Sequence, residues 1–71
     1  MKIYVLLTQS FDWNKTVCVS EDVNKIRKSI CEELDAMNDY PVLEIWENGK
    51  QIDCVVGNNV LKKVANEINT I

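Results

Sequence analysis

Alternating apolar and polar positions along the chain predict four β-strands. The first covers Lys2 to Gln9, and it is apolar on both faces at its centre, as is typical of a strand with a neighbour on each side. The second covers Lys15 to Ser20. The third and fourth cover Val42 to Glu47 and Lys50 to Val56, and they lie on either side of the dipeptide Asn48-Gly49.

Asn48-Gly49 is the strongest local signal in the sequence. Asn followed by Gly supplies the two positive φ angles of a type I′ turn, so the two flanking strands form a hairpin with a defined register. In an unbroken ladder the predicted partners are Trp46 with Gln51, Ile45 with Ile52, Glu44 with Asp53, Leu43 with Cys54, and Val42 with Val55.

Apolar residues spaced three or four positions apart predict two amphipathic helices. The first begins at Ser20 or Glu21, with Ser20 as its N-cap, and ends at Asn38 or Asp39. Its apolar stripe is Val23, Ile26, Ile30, Leu34 and Met37. The second helix follows Gly57, and its apolar stripe is Val60, Leu61, Val64, Ala65 and Ile68.

These elements predict an α+β fold with the order ββαββα. We expect one domain over residues 1–71, built from two ββα units at about 1–39 and 40–71. The predicted architecture has two layers: one four-stranded, mainly antiparallel sheet, and both helices on one face of it. Two strand orders stay open, namely 2-1-3-4 and variants in which the first strand lies beside the fourth.

Composition makes catalysis and cofactor binding improbable. The 71 residues include no histidine, which removes the usual general base and the commonest neutral metal ligand. A chain this short has little material for a closed pocket. The three cysteines are odd in number and widely spaced, as in a chain that keeps them reduced. We therefore expect no enzyme activity, no cofactor and no metal site.

The charge balance also limits the partners. Eleven acidic residues against eight basic ones give a net charge of −3, which disfavours direct binding to nucleic acid. The longest apolar run, Ile3 to Leu7, is too short to cross a membrane, and the N-terminus lacks the layout of a signal peptide. The prediction is a small acidic cytoplasmic protein without a membrane partner.

One face of the sheet is predicted to stay uncovered by the helices, and we call it the open face. Alternation assigns to the helix-covered face Ile3, Val5, Leu7, Val17, Val19, Leu43, Ile45, Ile52, Cys54 and Val56. The open face then carries Tyr4, Leu6, Thr8, Thr16, Cys18, Val42, Glu44, Trp46, Gln51, Asp53 and Val55. Contiguous apolar residues on such a face often mark an interaction site, although scattered surface apolar residues are also ordinary. The predicted partner-binding residues are Tyr4, Leu6, Trp13, Val42, Glu44, Trp46, Asp53 and Val55.

Two local features qualify this prediction. In the regular hairpin Glu44 and Asp53 face each other, and like charges in that position are unfavourable unless water, a divalent cation or a partner's lysine or arginine meets them. The loop after the first strand holds Phe11 and Trp13. We expect Phe11 to close one end of the core, whereas Trp13 suits either that task or a binding surface.

The leading hypothesis for function is a non-enzymatic module that binds a protein, or a second copy of itself, through the open face. A homodimer is the simplest form, and a short acidic chain suits an accessory or inhibitor protein of phage or mobile-element type. One alternative is an acidic decoy that occupies a nucleic-acid-binding protein. Another is a small enzyme assembled at a dimer interface, with Lys15 or Lys50 and carboxylates as its acid–base groups.

Overall fold

The fold has the predicted order ββαββα. A computed structural model describes residues 1–9, 14–34 and 40–69. In chain order the elements are β1 (Lys2–Gln9), β2 (Asn14–Ser20), α1 (Val23–Glu33), β3 (Tyr40–Glu47), β4 (Lys50–Val56) and α2 (Asn59–Asn69). Phe11 and Trp13 lie outside the described residues, as do Met37 and the predicted end of the first helix.

The four strands form one antiparallel sheet in the order β2-β1-β3-β4. This is one of the two arrangements that the sequence left open. It places β1 and β3 at the centre of the sheet, although α1 separates them along the chain. The strands β2 and β4 form the two edges, and each pairs with the central strand next to it in sequence.

Both helices pack on the same face of this sheet and touch each other. Their buried side chains join those of β1 and β3 in a single core. The members of this core are Tyr4, Leu6, Val23, Ile26, Leu43, Ile45, Val60 and Val64. Each of them is at most 5% exposed, so one thin apolar layer between sheet and helices stabilises the fold.

The predicted phase of β1 is wrong. Tyr4 lies opposite Ile45 and Leu6 lies opposite Leu43, so the even-numbered residues of β1 share a face with the odd-numbered residues of β3. Leu6 is fully buried under the helices, whereas Ile3, assigned to the core, is 39% exposed. Both sets of side chains are apolar, so alternation within β1 alone does not distinguish the two faces.

The predicted register of the second hairpin is correct only near its turn. Asn48 and Gly49 have the expected positive φ angles, of 55° and 78°. Trp46 pairs with Gln51 as predicted, but Ile52 is then left out of the ladder as a β-bulge. The remaining partners are Ile45 with Asp53, Glu44 with Cys54, Leu43 with Val55, and Val42 with Val56.

This bulge reverses the faces of the rest of β4, because successive side chains of a strand alternate. Val55, predicted on the open face, packs against the core, and Asp53 turns to the helix side as well. Cys54 and Val56, predicted in the core, lie instead on the face away from the helices. Ile52 is 50% exposed, so its predicted burial is wrong too.

The first helix is shorter than predicted. Asp22, not Ser20, is its N-cap: the Asp22 side chain accepts a hydrogen bond from the Asn24 backbone N–H at 2.9 Å. Ser20 instead accepts one from the Asp22 N–H. The helix ends at Glu33, and Leu34 has extended backbone angles. Two acidic residues in the last turn, with no basic residue there, interact unfavourably with the helix dipole and disfavour a longer helix.

Substitution of two neighbouring leucines of β1 tests which face of the sheet the helices cover. Replacing the buried Leu6 by alanine should lower the free energy of unfolding by about 2–5 kcal/mol, as deletions in a closed core do. Replacing Leu7, which is only half-buried on the opposite face, should cost about 1 kcal/mol. Urea unfolding of Leu6→Ala and Leu7→Ala measures both. A larger loss for Leu7→Ala would mean that the faces are assigned the wrong way round.

Candidate protein-binding sheet face

The face of the sheet away from the helices is the candidate site, and we call it the outer face. Strand pairing arranges its side chains in four rows across the sheet. From the hairpin end these rows are Ile3–Trp46–Gln51, Val19–Val5–Glu44–Cys54, Thr16–Leu7–Val42–Val56 and Asn14–Gln9–Tyr40. Neither described helix covers this surface, because both pack on the opposite side.

The outer face is strongly apolar. Its aliphatic members include Val19 at 59% exposure, Val56 at 41% and Ile3 at 39%. Val5 and Leu7 are half-buried between them. An antiparallel sheet with one face in water usually carries polar residues there, whereas here the uncovered side is almost as apolar as the covered one. A continuous apolar surface of this kind is typical of an interaction site.

Glu44 is the one charged residue in the four rows of the outer face, whereas Glu47 lines only the depression at its hairpin end. It lies in the second row on a central strand, between Val5 of β1 and Cys54 of β4. Its Oε1 accepts a hydrogen bond from the indole Nε1–H of Trp46 at 3.0 Å. This contact holds the carboxylate in place and satisfies the only polar group of the indole ring.

Trp46 also borders a shallow depression at the hairpin end of this face. Its volume is about 270 Å³, and its walls are mainly apolar. The lining residues are Ile3, Val5, Trp46, Glu47, Asn48 and Gly49. An aromatic ring beside an open apolar depression is a common setting for an interface hot spot, since a partner's side chain can fill it.

The structure brings only part of the predicted site together. Val42, Glu44 and Trp46 lie on the outer face as predicted, with Val42 6% exposed and the other two half-buried. The placement of Tyr4, Leu6, Asp53 and Val55 was wrong, since all four lie on the helix side. Trp13 lies outside the described residues.

Asp53 was predicted to face Glu44 on the open face, but it forms an ion pair on the helix side instead. Its Oδ2 lies 2.9 Å from the Nζ of Lys63 on α2. The hydrogen bond from Lys63 lowers the pKa of Asp53 below its ordinary value, and one from the Cys54 backbone N–H acts in the same direction. The same contact with Asp53 raises the pKa of Lys63. The pair therefore ties an edge strand to a helix.

Lys63 belongs to a wider polar group at this end of the helix layer. Glu67 lies 3.8 Å from Lys63 and 3.5 Å from Lys2 of β1. The hydroxyl of Tyr4 donates a hydrogen bond to Glu67. Burial of the ring, together with this carboxylate, raises the pKa of Tyr4. Tyr4 is thus a core residue whose hydroxyl group reaches Glu67 on the helix side of the sheet.

Sequence reasoning missed several members of the outer face because it placed them in the core. They are Ile3, Val5, Leu7, Val19, Cys54 and Val56. A usable signal lies in the third strand, where Leu43 and Ile45 were correctly assigned to the core. Once β1 is paired with that strand, the face on which each β1 residue lies is determined. The pairing itself, however, has no local signal in the sequence.

Over 1–9, 14–34 and 40–69, no group of three or more Cys, Asp or Glu side chains is placed to hold a metal ion. Cys18, Cys31 and Cys54 are free thiols; Cys18 is half-buried, and the other two are exposed. Of the described helices, neither combines the length and apolar character needed to cross a membrane.

Comparison with known proteins adds no assignment: no family model, no curated protein and no solved structure matches this chain.

The ion pair of Asp53 predicts a specific dependence of stability on pH. The folded state lowers the pKa of Asp53 below 3.8, so its contribution is present above that value and is lost as pH falls through the folded pKa. At about pH 7 the wild type should melt at a higher temperature than Asp53→Asn, and this gap should close as the pH falls below about 4 and through the lowered pKa of Asp53. Thermal unfolding followed by circular dichroism measures it.

Lys63→Gln is the matched control for this experiment. It should lower the melting temperature at neutral pH, and Asp53→Asn added to it should have little further effect, because both changes remove the same contact. A gap between wild type and Asp53→Asn that stays constant down to about pH 2 would contradict the ion pair.

Proposed function

We propose that this chain is a non-enzymatic protein-interaction module and that its outer face is the binding surface. The observation that carries the proposal is the apolar face around Trp46, which neither described helix covers. Burying such a surface against a partner is favourable by about 25 cal/mol for each Å² of apolar area. The aromatic ring and the depression beside it supply a centre for the contact.

The form of the sheet supports docking through side chains and not through strand addition. Both edge strands carry a β-bulge, at Val17 in β2 and at Ile52 in β4. Bulges interrupt the regular row of backbone groups that an added strand would need. The broad face of the sheet is therefore the better surface for a partner.

The structure weakens the support for an acidic decoy. That hypothesis relied on the acidic residues of the first helix together with the pair of Glu44 and Asp53. In the structure Glu44 faces Cys54, and Asp53 is paired with Lys63 on the helix side. The two carboxylates thus belong to opposite faces of the sheet. A surface with one carboxylate among apolar side chains resembles an ordinary protein interface more than a row of phosphates.

The experiment is an affinity capture in which only the binding face is changed. Wild-type chain, Trp46→Lys and Leu61→Lys are immobilised and exposed to a lysate of the cells that produce the protein. Leu61 is a matched control, because it is an apolar residue of α2 that is 54% exposed on the helix side. Circular dichroism establishes that each variant is folded.

A partner of the outer face should be retained by the wild type and by Leu61→Lys and lost with Trp46→Lys. Once it is identified and purified, calorimetry should give an affinity that Trp46→Lys weakens about tenfold or more, as loss of a hot spot does. Equal retention by all three proteins, or loss with Leu61→Lys alone, would contradict the proposal. Sedimentation of the wild type measures whether the partner is a second copy.

A further inference from the structure

We infer that the partner is a different protein, one that presents a single arginine or lysine within an apolar surface, and that this cation pairs with Glu44. The inference rests on the proposed function, because it concerns the occupant of the same outer face. It is carried by the position of one carboxylate among rows of side chains that are otherwise uncharged, since Glu47 at the hairpin end already pairs with the N-terminal nitrogen.

Glu44 has no ion-pair partner within residues 1–9, 14–34 and 40–69. Among the described residues, no lysine, arginine or N-terminal nitrogen forms an ion pair with it. Lys2 and Lys63 are engaged on the helix side of the sheet, by Glu67 and Asp53. Val5 and Cys54, which flank Glu44 across the strands, offer no charge.

A purely apolar partner would therefore fit this face badly. Covering Glu44 with apolar side chains would remove water from a carboxylate and leave it unpaired, which is costly. A cation on the partner converts that cost into a charge-assisted contact and fixes how the two surfaces align. Glu44 thus acts as a selectivity device: it favours partners that carry the cation and disfavours those that do not.

Trp46 prepares the carboxylate for this role. Its indole N–H holds Oε1 of Glu44 at 3.0 Å, so the side chain loses little further freedom when a partner binds. The ring also offers an apolar and electron-rich face next to the charge, which suits a guanidinium group in particular. The pair is therefore a small receptor for a cationic side chain with an apolar stem.

The same carboxylate argues against a second copy as the occupant. Glu44 lies in the second of the four rows, on one of the two central strands. A twofold axis near the middle of the face would place the two Glu44 side chains close to each other, with no lysine or arginine in the four rows of either outer face to separate them. An axis shifted far enough to part them would leave much of the apolar surface uncovered.

Two amphiphiles with equal tails test the inference directly. Octylguanidinium and octyl sulfate, both below their micelle concentrations, are titrated into isotopically labelled protein while amide and indole resonances are followed by NMR. Octylguanidinium should shift resonances of β1 and β3 on the outer face and bind about two- to fivefold more tightly than octyl sulfate, the range expected for one partly exposed ion pair. Glu44→Gln should abolish that preference.

Glu32→Gln is the control, because it removes an equal charge from an exposed site on α1. It should leave the preference unchanged. If both amphiphiles bind the outer face equally in the wild type, the cation requirement is wrong while the apolar binding face stands. If neither shifts the outer face, the inference fails and the proposed function loses its support as well.

Sedimentation supplies a separate readout for the second copy. Wild type should stay monomeric at concentrations where Glu44→Gln begins to associate, because the substitution removes the repulsion between the two carboxylates. A wild-type dimer that Trp46→Lys dissociates would overturn the inference and identify a second copy as the occupant.

Discussion

The pairing of β1 with β3 is the constraint on which the rest of the structure depends. Along the chain these central strands are separated by β2 and α1, yet the register between them decides which face of β1 is buried. With Tyr4 opposite Ile45 and Leu6 opposite Leu43, the helices close over those four side chains. A shift of one residue would exchange the two faces of β1 and turn Ile3 and Val5 inward.

The turn of the second hairpin and the buried side of α2 were predictable because their signals lie within a few neighbouring residues. Asn48-Gly49 defines its own turn, and the helical spacing of Val60 and Val64 identifies the buried side of α2. The register between β1 and β3 has no such signal, since both faces of β1 are apolar. The bulge at Ile52 has none either, because Lys50 to Val56 also reads as an unbroken strand.

The candidate site was predictable to the same extent. Val42, Glu44 and Trp46 were placed correctly because they alternate with Leu43 and Ile45 along β3. Those two aliphatic residues were correctly assigned to the core. The residues that complete the outer face come from β1, β2 and the far part of β4, where placement depends on long-range pairing. The sequence therefore indicates the centre of the surface more reliably than its extent.

The bulge at Ile52 has a consequence for comparing this chain with any relative. Ile52 is the one residue of β4 without a partner in the ladder, so a chain lacking it could keep every other pairing of that strand. An alignment that allowed no gap there would match Asp53 with a residue of the opposite face and would exchange buried and exposed positions through Val56. For a relative without the bulge residue, substitution patterns along β4 are interpretable only when the gap is placed at Ile52.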